Sequence, residues 1–463
     1  MESASKQQLL KRIASLVSEN KDLKEKQRVL TDSYNQIADE VERCKDWIEK
    51  AKAEQGDTVK KTARQTRFGT VTILFVEIQG LSDVVSASDN TLGQMDQLDE
   101  LIFRFNEVVE KYQLLKLHSI GDNLIYAGGI PEKNITNPFT VTLAALEMLN
   151  IVETGTQQDD APVWGLNIGI HTGAVTALIG GRIQAGYDLK GDTVNVASRI
   201  GSIGTKNTIT ISATTCELVK ELFDCRYVGA LPVKYSNKLD LFTVTGIKTG
   251  FADDVKRYLP NDKFRTQLML VQFSDLQELV LDKLEKGLPK YLYYHNVKHT
   301  VDVVTESELI GWSEGLDDQQ LLLLKTAALF HDVGHIISYA NHEERGTEIA
   351  RETLPNYRYT PEEIDQICRI IMATKLPPKP ADLLEAIICD SDLDYLGRTD
   401  FVPVSNALYA ELKAQNQSLS LNDWNKQQLK FIGMHQYFTK TGRKLREVKK
   451  QEQIERIKQL IEN

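Results

Sequence analysis

The chain has 463 residues, of which 41% are hydrophobic, and a formal net charge of −10. At roughly 100–200 residues per domain, this length indicates two to four domains with ordinary buried cores. The negative charge disfavours a nucleic-acid-binding protein, and no apolar run approaches the roughly 18 residues that a membrane span needs. Five cysteines without a CxxC pair are typical of reduced thiols, so we expect a cytoplasmic protein.

Residues 1–50 have a heptad pattern that is typical of a coiled coil. The apolar positions alternate in steps of four and three, which is the a/d seam of paired helices. Asn20 lies at an a position, where a buried asparagine favours a parallel, in-register homodimer. The alternative is one long amphipathic helix that packs on its own protein. The seven-residue repeat consists of Leu9, Leu16, Leu23, Leu30, Ile37 and Cys44.

The next part of the chain alternates strand and helix patterns. Residues 51–66 are polar and form a predicted connector to a domain at 67–250. The β-α-β-β-α-β order predicts an α+β domain with a mostly antiparallel sheet. The patterns are a strand from Thr70, a helix over 92–113, strands over 114–120 and 123–127, a helix over 137–153, a strand over 165–173 and a helix from Thr193.

After residue 250 the strand patterns fade and helical patterns dominate. Residues 251–263 form a predicted linker, and residues 264–463 form a predicted all-α domain with a charged helical extension at its end. We therefore expect a multi-domain chain, in which a coiled coil precedes an α+β domain and an all-α domain.

Four motifs of the α+β segment resemble the catalytic domain of class III nucleotidyl cyclases. They are LFVEIQGLSD at 74–83, KLHSIGDNLIYAGG at 116–129, IGIHTGAV at 168–175 and YDLKGDTVNVASR at 187–199. The resemblance spans nearly the whole segment and implies a ferredoxin-like fold. It also implies that a nucleoside triphosphate is converted into a 3′,5′-cyclic nucleotide and pyrophosphate at sites shared by two subunits.

Glu77 and Asp122 are the candidate metal ligands of this domain. Glu77 ends a predicted strand and Asp122 lies in the adjoining hairpin turn, so the two acids can converge. Two divalent ions held by carboxylates, Mg²⁺ or Mn²⁺, would activate the ribose hydroxyl and the leaving pyrophosphate. The resemblance implies aspartates at both positions, so Glu77 departs from the family. Its carboxylate is displaced by about one bond length, and a misplacement near 1 Å can cost roughly 100-fold in rate.

Asn195 and Arg199 are the candidate catalytic residues of the same domain. They are four positions apart on the predicted helix from Thr193 and therefore project from one face. The resemblance implies that this pair orients the ribose and stabilises the transition state of a nucleotide whose metals the other subunit holds. We expect Asp192 to be the N-cap of their helix.

Two groups of residues are candidates for contacts to the triphosphate. The resemblance implies backbone contacts to phosphate at Gly80, Leu81 and Ser82, although Leu81 and Ser82 replace the usual Phe and Thr. Lys234 matches a family lysine near the triphosphate.

His118 and Asp188 are the candidates for recognition of the base. Adenylyl cyclases have a lysine at the position of His118 and an aspartate at that of Asp188. The retained aspartate favours ATP, whereas His118, which can donate or accept a hydrogen bond, leaves GTP or a pyrimidine nucleotide open.

Five of the eight histidines lie between residues 295 and 342. The motif LFHDVGH, with an earlier histidine and the later ICDSDLDYLG, resembles the HD superfamily of metal-dependent phosphohydrolases. Mixed histidine and carboxylate ligands suit Zn²⁺, Mn²⁺ or Fe²⁺. Asp390 is the alternative to Asp392 for the ligand that comes last in the sequence. The ligands that the resemblance implies are His299, His331, Asp332 and Asp392.

The segment YYHNVKH at 293–299 also resembles cyclic-nucleotide phosphodiesterases. The resemblance implies that the earlier histidine, His295, protonates the leaving oxygen. His295 and His299 are four positions apart, so we expect them on one face of a helix. His335 and His342 could serve a second metal, which leaves one ion or two open.

Two hypotheses describe the function of the chain as an enzyme, and a third possibility is a scaffold in which both sites are inactive. In the first, an enzyme cyclises a nucleoside triphosphate, with ATP favoured, and its phosphohydrolase domain acts on a phosphoester such as a cyclic nucleotide. In the second, a degenerate cyclase domain binds nucleotide and pairs the chains as a regulator of the phosphohydrolase. Neither hypothesis requires a nucleic acid or a membrane as a partner.

Overall fold

The computed structural model describes residues 64–80, 91–117, 123–155, 164–179, 188–232, 238–415 and 418–461. The predicted coiled coil of residues 1–50 and residues 51–63 of the connector lie outside this part of the chain. Among the described residues, no helix is long and apolar enough to cross a membrane. Arg64–Asn463 forms one unit, in which a sheet domain is followed by a helical domain.

The first domain is built on a mixed sheet of eight described strands. They are β1 (Arg64–Gln79), β2 (Leu115–Lys116), β3 (Asn123–Gly128), β4 (Gly165–Ile179), β5 (Asp188–Lys190), β6 (Thr208–Ser212), β7 (Phe223–Pro232) and β8 (Lys238–Ile247). Their order is β2-β3-β1-β4-β6-β8-β7, with β5 paired to β4. Only β4 and β6 pair in parallel among these described strands. The prediction of an α+β domain with a mostly antiparallel sheet is therefore confirmed.

The helices of this domain pack on both faces of the sheet. In the described part they are α1 (Thr91–Lys111), α2 (Asn137–Gly155), α3 (Asp192–Ile203) and α4 (Ala213–Val219). Because side chains alternate along a strand, Val76 packs in the core with α1 and α2, whereas Phe75 packs on the α3 side. A Cβ atom on Gly169 of β4 would meet the backbone of Gly201, so these two glycines let α3 lie directly on the sheet.

The second domain is helical throughout its described part. Its helices are α5 (Asp262–Gly287), α6 (Val297–Glu314), α7 (Asp318–Phe330), α8 (His342–Thr353), α9 (Pro361–Met372), α10 (Leu383–Asp392), α11 (Phe401–Gln415), α12 (Leu421–Met434) and α13 (Lys440–Leu460). The run LLLLKTAALF in α7 is apolar on nearly all sides, which is typical of a helix surrounded by others. Its residues from Leu321 to Phe330 are buried except Lys325, which reaches Glu308 at 2.7 Å.

Helix α5 belongs to the cores of both domains. Phe264 and Leu268 near its start pack in the core of the sheet domain, whereas Phe273 and Val280 pack in the helical core. A further contact joins the domains at Ile135, whose backbone N–H donates to the Asp275 Oδ2 at 2.9 Å. The two domains therefore share a continuous apolar element rather than only a linker.

Candidate functional site

Glu77 lies near the end of β1, in register with Asn123 on β3 and Asn167 on β4. The Asn167 Nδ2 donates a hydrogen bond to the Glu77 Oε2 at 3.0 Å. Asp122, the second candidate ligand, directly precedes Asn123 and lies outside the described residues. Gly80 follows the strand with a φ of 107°, a conformation that side chains disfavour. Gly80 therefore lets the chain turn where β1 ends.

Asn195 and Arg199 are both exposed on one face of α3. The Arg199 Nη2 donates to the carbonyl oxygen of Pro232 at 2.9 Å. The N-cap of the helix is Gly191, with a φ of 140°, and no side chain caps it. The prediction of Asp192 as N-cap is wrong, because the chain turns at the glycine and Asp192 is already the first helical residue.

The remaining nucleotide-binding candidates are only partly described. Asp188 lies in β5, opposite Leu178 of β4, and its strand leads directly into α3. This placement brings the backbone of Asp188 near the start of the helix with the catalytic candidates. The candidates outside the described residues are Leu81, Ser82, His118 and Lys234.

Four side chains converge in the helical domain. The His299 Nε2 lies 3.3 Å from the Asp332 Oδ2 and 3.2 Å from the Asp392 Oδ1. The His331 Nε2 lies 3.2 Å from the Asp332 Oδ2 and 3.6 Å from the Asp392 Oδ1. The structure therefore brings together the four candidate ligands from α6, from the end of α7 and from the end of α10.

The end of α7 explains how two successive residues reach one site. Adjacent side chains on a helix diverge by about 100°. Helix α7 ends at Phe330, and Asp332 has φ −105° and ψ 0° before a 3₁₀ turn at Val333–Ile336. This change in backbone direction lets both His331 and Asp332 face His299.

The buried carboxylates make this cluster a site for positive charge. Burial lowers the pKa of His331, but Asp332 and Asp392 outweigh burial and raise that pKa well above its usual range. Burial raises the pKa of Asp332, but His331 and His299 outweigh it and hold that pKa well below its usual range. The His331 Nδ1 donates to the carbonyl oxygen of Ala328 at 2.8 Å, which fixes the ring with Nε2 toward the cluster.

The donor atoms of the cluster fit one divalent transition metal. Nitrogen and oxygen ligands lie roughly 2.0–2.2 Å from such an ion, which sets neighbouring donors about 3 Å apart. The distances between the donor atoms here are close to that value. His299, His331 and Asp392 each offer one donor atom within 4.8 Å of the others. Two imidazoles with two carboxylates suit Zn²⁺, Mn²⁺ or Fe²⁺.

A second group of donors adjoins the first at Asp332. His295, Asp332 and His335 offer donor atoms within 4.8 Å of one another. His342 stacks on His335 with ring centroids 3.9 Å apart, and its Nε2 lies 3.5 Å from the Asp332 Oδ1. Burial lowers the pKa of His335 to about 3, so this ring stays neutral, which is the form that binds metals. The group is therefore chemically suited to a second ion.

His295 is held by the buried carboxylate of Glu411. The Glu411 Oε1 contacts the His295 Nδ1, and its Oε2 accepts from the backbone N–H of Tyr294 at 2.9 Å and of His295 at 3.1 Å. Burial raises the pKa of Glu411, but these hydrogen bonds outweigh burial and lower it. Asn296 caps α6 by accepting from the His299 N–H, so His295 precedes the helix. The prediction that His295 and His299 share a helix face is therefore wrong.

Two family models match the chain. The model of the adenylate and guanylate cyclase catalytic domain matches residues 63–246, and the model of the HD domain matches residues 296–395. The chain joins a cyclase catalytic domain to an HD domain. Both domains place it among the enzymes.

Several curated relatives of the cyclase domain are guanylyl cyclases. Guanylyl cyclase C of Homo sapiens is 30% identical over 216 residues, which are 44% of this chain and 19% of that protein. Retinal guanylyl cyclase 2 of Rattus norvegicus is 30% identical over 203 residues, which are 42% of this chain and 18% of that protein. The chain therefore spans about a fifth of the length of these relatives. The crystal structure of the guanylate cyclase domain of RhGC from Catenaria anguillulae with GTP is 26% identical, with 40% of this chain and 100% of that chain covered and a TM-score of 0.35.

Asp390 and Glu411 are the acids of the HD domain whose roles the sequence did not reveal. Asp390, the alternative ligand, accepts from the backbone N–H of Phe438 and Thr439 at 2.8 Å each and from the Thr439 hydroxyl at 2.7 Å. It therefore holds the start of α13 rather than facing His299. Glu411 lies 116 residues after His295, and no motif marks it. Its side chain is fully buried in the folded protein, and only the packing of α11 reveals this position.

Proposed function

We propose that the cyclase domain converts a nucleoside triphosphate into a 3′,5′-cyclic nucleotide and pyrophosphate, and that the HD domain hydrolyses a phosphoester, with a cyclic nucleotide as the first candidate. The observation that carries the proposal is the convergence of four ligands beside the pair of His295 and Glu411. The family match over residues 63–246 supports the cyclase half.

The HD site has the groups that hydrolysis of a phosphoester requires. A divalent transition metal held by His299, His331, Asp332 and Asp392 would polarise a phosphoryl oxygen and lower the pKa of a water molecule. In a site with one ion, His295 would donate a proton to the leaving oxygen from Nε2, because its Nδ1 faces Glu411. The carboxylate of Glu411 would orient the ring toward the ester.

The space beside the ligands supports a small substrate. A cavity of about 260 Å³ adjoins His299 and Asp392, and its wall includes Tyr395, Lys298 and Arg398. This volume suits a mononucleotide rather than a polymer. Lys298 and Arg398 both form ion pairs with Asp302 in this wall, so a phosphate group would compete with that carboxylate for them.

The exposed face of α3 supports catalysis by two paired chains. Asn195 and Arg199 point away from the core of their own domain, so they are available to a nucleotide bound by a second chain. In this arrangement Glu77 and Asp122 would hold Mg²⁺ or Mn²⁺ in one subunit. The coiled-coil pattern of residues 1–50 supports a parallel homodimer as the assembly.

We favour ATP as the substrate because Asp188 matches the aspartate of adenylyl cyclases. GTP is the second candidate, because the curated relatives described above are guanylyl cyclases. Glu77 in place of an aspartate favours one further candidate function, in which the cyclase domain binds nucleotide and regulates the HD enzyme.

Mass spectrometry of the products from all four nucleoside triphosphates with Mn²⁺ tests the proposal. The assay uses the Asp392→Asn variant, so that a cyclic product accumulates instead of being hydrolysed. We expect one cyclic nucleotide, and we expect its loss when Asp122→Ala is added. No cyclic product from any triphosphate would leave only the regulatory function for the cyclase domain. A purified wild-type chain that contains no transition metal and hydrolyses no cyclic nucleotide would refute the HD half.

A further inference from the structure

A row of polar side chains crosses three neighbouring strands at the end of β1. Glu77 on β1 is in register with Asn123 on β3 and with Asn167 on β4. Side chains in register on neighbouring strands lie on the same face of the sheet, with Cβ atoms about 4.5–5.5 Å apart. The three side chains therefore form one surface on the face that α3 also covers, since Phe75 has the same orientation and contacts Gly201.

The hydrogen bond between Asn167 and Glu77 fixes the orientation of the amide. A carboxylate can only accept, so Asn167 must direct its Nδ2 toward the Glu77 Oε2, at 3.0 Å. The Asn167 Oδ1 then points elsewhere, and it has no hydrogen-bond partner although the residue is only 3% exposed. The Asn123 Oδ1 is likewise buried without a partner. Buried polar atoms normally find a partner in protein, water or an ion, so two unpaired amide oxygens beside one carboxylate require a source of donors.

We propose that Asn167 and Asn123 bind the water shell of the divalent cation at Glu77. Asn167 orients the carboxylate through its amide N–H, and both amide oxygens accept hydrogen bonds from water molecules that the cation retains. This inference rests on the cyclase function proposed above, because that function assigns the cation to Glu77. Mg²⁺ loses its water reluctantly and is usually bound through one or two carboxylates and several waters, so acceptors around its water shell matter for affinity.

The arrangement addresses the departure at Glu77. A glutamate has one more rotatable bond than an aspartate, and its carboxylate is therefore less well fixed. The hydrogen bond from Asn167 restricts that carboxylate to one position. The two amides also contribute no charge, so the site keeps a single negative charge from this row. Asn167 is thus a positioning residue, and its loss should weaken binding of the cation even in the absence of nucleotide.

Titration of Mn²⁺ against the full chain, followed by the electron paramagnetic resonance of the free ion, tests the proposal without any turnover. Glu77→Gln identifies the cyclase site as the Mn²⁺ site that this variant loses. We expect Asn167→Leu, which keeps the branching at Cγ but has no polar atom, to weaken that same site about 10- to 100-fold, as loss of a partner of a ligand does. Asn123→Leu, which keeps the hydrogen bond to Glu77, should weaken it less. Thr210→Val, a buried hydroxyl on neighbouring β6, is the matched control and should bind Mn²⁺ like the wild type.

The outcomes separate this inference from the proposed function. If Glu77→Gln keeps every Mn²⁺ site, the metal role of Glu77 fails and this inference fails with it. If Glu77→Gln loses a site while Asn167→Leu binds Mn²⁺ at that site as tightly as the wild type, only this inference is overturned.

Cobalt(III) hexammine provides a second probe, because its bound N–H groups donate as a water shell does but cannot be displaced. We expect it to compete with Mn²⁺ in the wild type and less well in Asn123→Leu, and equal competition in both would also overturn the proposal.

Discussion

The HD site and the cyclase site differ in how completely one chain assembles them. His331 and Asp332 are 1% and 5% exposed, and their donor atoms already meet those of His299 and Asp392. In the cyclase domain, Asn195 and Arg199 are exposed on the outer face of α3, whose opposite face packs on the sheet. Folding alone therefore fixes the geometry of the HD site, whereas the proposed cyclase site depends on a second chain. Association of two chains can therefore regulate the cyclase site, whereas it should have little effect on the HD site.

The largest effect is expected from removal of one candidate ligand of the HD site, which should abolish hydrolysis without affecting cyclisation. Asp392→Asn should release the metal and lower hydrolysis of a cyclic nucleotide by about 10³-fold or more, because the metal contributes several kcal/mol to the transition state. Cyclisation in the other domain should continue. Elemental analysis and product formation measure the two effects. Equal loss of both activities would show that the sites are not independent.

Asp390→Asn is the matched control for that variant, because the two acids are two positions apart on α10. Asp390 contacts the start of α13 and not the ligands. We expect the control to retain its metal while the free energy of unfolding falls by about 1–3 kcal/mol, since charge-assisted hydrogen bonds in a buried place are lost. Loss of metal in this variant would contradict the assignment of Asp392.

The second prediction tests whether the cyclase site needs two chains. Arg199→Ala should lower cyclisation by about 100- to 1000-fold, as removal of a transition-state donor does, and Glu77→Gln should be similarly inactive. Mixed chains of the two variants should recover roughly a quarter of wild-type activity, because half of the dimers are mixed and each has one intact site. No recovery after exchange of subunits would place the whole site within one chain.

The parts of each site that the sequence revealed are those within short motifs. The pair His331-Asp332 and the acids of ICDSDLDYLG are local patterns, so the sequence named four candidate ligands, and the structure brings their side chains together. Glu411 was not, because its role arises only when α11 packs against the segment before α6. Asn167 was also missed, since a polar residue in a strand pattern has no visible meaning until strand register places it beside Glu77. The prediction that His295 shares a helix face with His299 was wrong, because Asn296 caps α6 and the helix begins only after His295.

The third prediction concerns Glu411, which refines the geometry of the HD site without contacting its metal. Glu411→Gln should keep the metal and lower hydrolysis of a cyclic nucleotide by about 10- to 100-fold, because His295 loses the carboxylate that orients its ring toward the leaving oxygen. A p-nitrophenyl ester, whose leaving group needs no proton, should lose much less activity. Equal losses with both esters would mean that Glu411 acts only through structure.

The smallest effect on activity is expected for His435, which lies outside both sites and should change only the acid stability of the helical domain. Burial lowers the pKa of His435 from 6.5 to about 4, and neither ring nitrogen has a hydrogen-bond partner. Between pH 6.5 and 4 the unfolded chain therefore binds a proton that the folded chain excludes, so stability is complete above pH 6.5 and decreases as the pH falls. At about 1.4 kcal/mol per pKa unit, the loss by pH 4 is about 3 kcal/mol. His435→Leu should remove this part of the pH dependence in urea unfolding while activity at pH 7 stays unchanged, and parallel pH profiles for variant and wild type would refute it.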